Sequence, residues 1–278
     1  MFADDTSYLF SGDSMSEVVE NAQSSVNSVV QWINSNKLVL NASKSLIINF
    51  NLREIIRKES LLVKTSRKSI PQEKCTKFLG IYLDSNLKWN THIDSLSKSL
   101  ASSAYAIFKL KSFSSDKVLL SFYYAHFYSK VKYGILFWGR SNLTHRIFLI
   151  QKQVVRSIVG VKKRTSCRNI FRQLGLLPVP AIYILEILMF VKENPKEFSV
   201  NNYNHSYNTR RGKDFCIPAH RLSMSENNPR YMGSLLFNKL PERFKSETRH
   251  KQFKFQVMHF LLSQCYYSVE EYLSDSCT

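Results

Sequence analysis

The amino-acid sequence predicts an α+β fold, with a strand-bearing N-terminal part followed by a mainly helical body. Two observations carry this. Short β-branched and aromatic runs separated by turn residues fill much of the chain up to residue 88, whereas from about residue 90 the apolar residues recur at helical spacing. A third observation, the charge, divides the chain in a similar way. Residues 1–50 carry a balance of −3, residues 51–88 of +5 and residues 89–278 of +16, which together give the formal +18.

Taken in order, TSYLF (6–10) reads as a strand leaving a turn at Asp4 and Asp5. Ser14 and Glu17 form a capping-box pattern, and Val18, Val19, Ala22, Val26, Val29, Val30 and Ile33 continue it as an amphipathic helix to about Asn34. KLVLNASKSLIINF (37–50) reads as strand, loop, strand. After a polar stretch, KFLGIYLDSNLKW (77–89) reads as a hairpin whose turn suits Ser85 and Asn86.

The helical body opens with Ile93, Leu96, Leu100, Ala104, Ile107 and Phe108 on one face. VLLSFYYAHFY (118–128) and AIYILEILMFV (181–191) are apolar but fall short of the ~20 residues that span a bilayer, so they are expected to be buried helices. Ile147, Ile150, Val154, Val155 and Ile158 mark another helix. On it Lys152 and Arg156 sit off the apolar stripe, and Lys162, Lys163 and Arg164 lie just beyond its end. Residues 198–234 read mostly as loop, and a last helix is expected over roughly 247–265. There are no internal repeats and no low-complexity tract.

Several functional classes are disfavoured. The five cysteines are odd in number and widely spaced, without a CxxC pair or a Cys/His cluster, so neither zinc nor a disulfide framework is implied. The first residues do not read as a basic and apolar leader, so no signal peptide is expected. Reduced thiols, no membrane segment and a cytoplasmic or nuclear location are the expectation. An acidic head on a long basic body suits a protein that meets phosphates over most of its surface and cations at one end, although solvated surface lysines would give the same balance.

The chemistry-bearing feature is the adjacent pair Asp4 and Asp5. Consecutive side chains of a strand point to opposite faces, but a tight turn can aim both at one point, where they would suit a hard divalent cation. Two such ions can activate a 3′-hydroxyl and stabilise a departing pyrophosphate. A solvated turn is the plain alternative.

FADD (2–5), the amphipathic helix, LVLNASKS and KFLGIYLDSNLKW together resemble the latter part of the polymerase domain of non-LTR retrotransposon reverse transcriptases, especially the jockey-like insect group. YGILFWG (133–139), IQKQVVRSIVG (150–160), HSYNTRR (205–211), NPRYMGSLLFNKLPERFK (228–245) and YYSVEEYL (266–273) are similar to the C-terminal portion of those proteins, in the same order. The resemblance covers essentially the whole chain.

It implies three regions: the C-terminal part of a polymerase palm with a primer-gripping hairpin (1–88), a helical thumb (89–165) and a C-terminal helical and loop region (166–278). It further implies that Asp4 and Asp5 belong to a Mg²⁺ site and that Phe2 and Ala3 lie near primer and nucleotide. By the same resemblance Lys44 approaches the triphosphate and could protonate pyrophosphate. Phe78, Leu79 and Gly80 would grip the primer end. Lys152, Arg156, Lys162, Lys163 and Arg164 would meet the backbone of an RNA template and DNA primer.

Members of this family use a further Asp and fingers residues that lie N-terminal to FADD. The chain is expected to lack them, through truncation, decay or a gene model starting at the first methionine, and so to be inactive alone. Two alternatives are a non-catalytic basic nucleic-acid-binding protein of retroelement origin, and a partner that completes a polymerase with a separate fingers fragment.

Overall fold

The computed structural model describes residues 6–41, 43–50, 63–64, 69–200 and 214–275. The described residues are mostly helical with one small sheet, and the chain divides into two compact units, residues 1–91 and 92–278.

In the first unit, helix α1 (Met15–Ser35) starts where the capping box places it. The Ser14 hydroxyl accepts from the Glu17 amide at 3.3 Å, and the Glu17 carboxylate reaches back to the Asp13 amide at 3.0 Å. Halfway along, Gln23 exchanges two hydrogen bonds with the backbone of Lys64, at 2.7 and 2.8 Å. These bonds bring α1 to the segment that carries the buried Val63 and Ile70.

The strands expected on either side of α1 are not formed. Residues 6–10 have no regular structure, with Leu9 86% exposed, and residues 38–41 and 43–50 contribute only a single parallel bridge between Ile47 and Gln72. A β-branched run becomes a strand only when a partner satisfies its backbone, and here that bridge is all the pairing the described residues provide.

The sheet is an antiparallel hairpin, β1 (Cys75–Phe78) and β2 (Ile81–Asp84), with Phe78 opposite Ile81. Its turn is Leu79–Gly80 rather than Ser85–Asn86. Both turn residues have positive φ, 46° and 84°, which matches the twist of a two-residue hairpin. Ser85 and Asn86 instead form a separate turn after β2, where the Leu87 amide donates to the Asp84 carbonyl at 2.9 Å.

The second unit is built around α8 (Val179–Glu193), which is buried on almost every side. Ile182, Tyr183, Ile184, Ile187 and Leu188 are all fully inaccessible. A helix that is apolar all round must be enclosed, and each such Ile or Leu contributes roughly 1.5–3 kcal/mol of transfer free energy.

Around α8 pack α5 (Ile135–Trp138), α6 (Thr144–Val159), α9 (Pro229–Asn238), α11 (His250–Gln264) and α12 (Val269–Ser274). Two shorter helices lean on these: α7 (Arg168–Leu174) on α6 and α11, and α10 (Glu242–Lys245) on α11. Gly139, which follows α5, permits the close approach of α5 to α8. A Cβ there would collide with the Tyr183 ring and the Ile135 carbonyl. A single buried amide ties three elements together. The Gln151 side-chain amide on α6 donates to the Tyr123 hydroxyl at 2.8 Å and the Leu177 carbonyl at 2.9 Å, and its oxygen accepts from the Val179 amide at 2.8 Å.

Helix α2 (Asn90–Leu110) buries Ile93, Leu96, Leu100 and Ile107 as its stripe predicts. Phe108 does not join them and is 62% exposed. The apolar run after α2 is a helix with a defect: α3 (Asp116–Tyr123) passes through a π-helical turn (Tyr124–Tyr128) into α4 (Ser129–Lys132). It is amphipathic rather than wholly buried, hiding Leu119, Tyr123, Phe127 and Val131. Within the expected loop over 198–234, the described residues form a 3-10 turn at Ser223–Asn227 and then enter α9 at its Asn228 cap, whose side chain accepts from the Arg230 amide.

Candidate nucleic-acid interface

The residues singled out for catalysis are only partly within reach. Phe2, Ala3, Asp4 and Asp5 lie outside the described residues. Lys44 is exposed on a turn that follows Asn41, its amide donating to the Asn41 carbonyl at 3.1 Å and the neighbouring Ser43 hydroxyl to the Asn41 side chain at 2.6 Å. Among the described residues no three His, Cys, Asp or Glu side chains converge as a metal site, so a Mg²⁺ reading rests on Asp4 and Asp5 alone.

The hairpin presents Phe78 and Leu79 at its tip, both about one-third exposed, with Gly80 completing the turn. Along one face Lys77 sits 5.9 Å from the Tyr82 ring centre. At the other end of the hairpin Asp84 is buried, and one of its carboxylate oxygens has no hydrogen-bond partner among the described residues. Burial pushes the Cys75 thiol up, opposed by its hydrogen bond with Thr91 and reinforced by the neighbouring Asp84.

The predicted basic group of the body separates into two kinds of cation. Lys152 points across the helix surface onto aromatic rings. Its ammonium lies 4.2 Å from the centre of Phe148 and 4.4 Å from that of Tyr267, which themselves meet edge to face at 4.9 Å. Partial burial lowers its pKa, an effect reinforced by the neighbouring guanidinium groups of Arg156 and Arg168.

Arg168, at the start of α7, covers the same Tyr267 ring at 4.6 Å and pairs with Glu271 at 2.8 Å. The hydrogen bond to Glu271 raises its already high pKa. Arg156, in the last turn of α6, donates to the Thr165 carbonyl at 2.9 Å, closing the 160–165 loop.

Lys162, Lys163 and Arg164 are the second kind. They are exposed on that loop, held out by the Arg156 contact and by the Thr165 amide bonding to the Lys162 carbonyl. This arrangement presents three cations close together on a fixed turn, a geometry suited to the phosphates of a polyanion. Arg168 and Tyr267 escaped the sequence reading because nothing in their local patterns links them to α6.

No family model and no solved structure matches the chain. In sequence it is similar to a probable RNA-directed DNA polymerase from transposon X-element of Drosophila melanogaster, 26% identical over 183 residues, or 64% of this chain. A retroelement polymerase is thus among its relatives. The matched span covers 20% of that polymerase's length. The similarity supports an origin related to retroelement polymerases. The four described cysteines, Cys75, Cys167, Cys216 and Cys265, are free thiols, and among the described residues no single helix is long and apolar enough to cross a membrane.

Proposed function

We propose that this chain is the latter part of a non-LTR, jockey-like RNA-directed DNA polymerase and that its helical body holds an RNA template and DNA primer through their phosphates. The observation that carries the reading is the fixed, exposed Lys162–Lys163–Arg164 turn on a unit with a strongly positive balance, in a chain similar to a transposon polymerase. Lys152 and Arg156 shape this corner while the three exposed cations meet the backbone.

The hairpin tip at Phe78, Leu79 and Gly80 is the proposed grip on the primer end. Asp4 and Asp5 are the proposed Mg²⁺ ligands of the complete enzyme, with Lys44 near the triphosphate. Two carboxylates are too few for a two-metal site, so the isolated chain is proposed to bind nucleic acid without extending it. The alternative, a non-catalytic binding protein of retroelement origin, shares the basic corner and lacks any role for Asp4.

The test is fluorescence anisotropy of a labelled RNA–DNA hybrid, followed by primer extension with dNTPs and Mg²⁺. The reading expects binding that weakens steeply with salt, no loss on Asp4→Ala, and no extension by the isolated chain. Absence of binding would overturn the whole reading, and nucleotide incorporation would overturn the inactive part of it.

A further inference from the structure

The outer face of α2 carries large aromatic side chains that the core does not use. Tyr105 and Phe108 are each 62% exposed, and Phe113, just beyond the helix end, is 74% exposed. Tyr105 and Phe108 are three residues apart, so on a helix they are neighbours on one face, about 4.5 Å apart along the axis.

The rest of that face is Lys98, Ala101, Ser102, Lys109 and Ser112, and no acidic residue occurs between Asp94 and Asp116. Lys109 places its ammonium 5.5 Å from the Tyr105 ring centre and makes no ion pair among the described residues. Lys111, by contrast, is neutralised by Asp116 at 2.8 Å.

A helix face built to dock another protein presents apolar anchors at i, i+3, i+4 and i+7. Here the positions around the two rings hold lysines, serines and one alanine, and no large aliphatic side chain joins them. The apolar surface is confined to flat rings beside an unneutralised cation. That combination complements a chain of anions with exposed π-faces.

We propose that the Tyr105–Phe108–Lys109 face of α2 is a binding site for unpaired nucleic-acid strand, with bases stacking on the two rings and Lys109 taking an adjacent phosphate. The inference rests on the nucleic-acid reading given above and goes beyond it, because a duplex hides its base faces and offers only edges and phosphates. The Lys162–Arg164 turn therefore serves paired and unpaired strands alike, and the α2 face discriminates between them.

The test uses the full chain with a labelled 20-nucleotide oligothymidylate and a labelled 20-base-pair duplex, at one fixed salt concentration. Tyr105→Ala/Phe108→Ala, checked for native circular dichroism, is expected to weaken single-strand binding by about tenfold or more, since each stacked base is worth about 1–3 kcal/mol. Duplex binding should stay within about twofold, on the argument that its phosphate contacts are untouched. Tyr105→Phe keeps the ring and should bind the single strand like the parent.

Photocrosslinking of a 5-iodouracil oligonucleotide should label the peptide containing residues 98–109. Unchanged single-strand binding in the double variant, or an equal loss for the duplex, overturns the proposal while leaving the parent's binding intact. A parent chain that binds neither probe overturns the broader reading as well.

Discussion

Lys152 holds its ammonium 4.4 Å from the centre of the Tyr267 ring, so that a cation on α6 anchors the residue just before the Ser268 cap of α12. Phe148 closes the other side at 4.2 Å. This lysine joins elements far apart in sequence and is not a free surface charge. Lys152→Met keeps the packing volume and removes the cation, and should cost about 1 kcal/mol of stability by urea unfolding. The salt dependence of nucleic-acid binding should be unchanged. A shallower salt dependence with unaltered stability would show instead that the ammonium reaches phosphate.

Two buried tyrosines respond oppositely to losing their hydroxyl. Tyr123 accepts from Gln151 at 2.8 Å, whereas the buried Tyr183 hydroxyl has no hydrogen-bond partner among the described residues. Tyr123→Phe is expected to lower stability by about 1 kcal/mol, and Tyr183→Phe to leave it unchanged or raise it by a similar amount. Gln151→Leu is the more severe change. It strands the Tyr123 hydroxyl, the Leu177 carbonyl and the Val179 amide, and should cost roughly 3 kcal/mol. Equal effects for the two tyrosine variants would contradict the hydrogen-bond assignment.

Burial pushes the Tyr128 and Tyr267 hydroxyls up to about 12, and those of Tyr123, Tyr183 and Tyr272 higher still. These groups stay protonated in the folded chain while the same tyrosines ionise near pH 10 once unfolded. The unfolded state thus binds fewer protons above that pH, and stability falls as pH rises. The contribution is fully present below about pH 10 and disappears through the window towards about 12. The urea midpoint should drop steeply there, less so in Tyr183→Phe. A midpoint that stays flat from about pH 9 to about pH 12 would contradict the burial of these rings.

The hairpin stores strain at one residue. Leu79 has φ 46° in a turn that favours Asn, Asp or Gly. Leu79→Asn should raise the thermal midpoint, by an increment of about 0.5–1 kcal/mol, while Gly80→Val should lower it. If Leu79→Asn destabilises, the leucine makes packing contacts that outweigh its backbone strain.

Much of this architecture could be read directly from residue patterns. Helices α1, α6 and α8 follow from Ser14 as a cap, from the Ile147-to-Ile158 stripe and from an uninterrupted apolar run, because helices are specified locally. The strands expected at 6–10 and within 37–50 failed for the complementary reason. Val39 and Ile47 have strand-forming side chains, but pairing depends on partners that no local pattern reveals.

The hairpin turn was hidden because Ser85–Asn86 has turn composition and a leucine at positive φ is rare. Phe108 fits the spacing of the α2 stripe, yet it falls at the edge of the buried arc. In the candidate site, Lys162, Lys163 and Arg164 were legible as a charge run. The ring partners of Lys152 were not, since Tyr267 comes from the far end of the chain.

The most direct test of the central claim is the slope of log affinity against log salt concentration for an RNA–DNA hybrid, measured for the parent chain and for Lys162→Ala/Lys163→Ala/Arg164→Ala. If these three residues neutralise phosphates, the parent shows a steep negative slope that becomes shallower by about 2 to 3 in the variant, at roughly 0.9 per phosphate contact. Chelating divalent cations should change neither slope. Salt-independent binding, or identical slopes for parent and variant, would contradict a nucleic-acid interface at this corner of the fold.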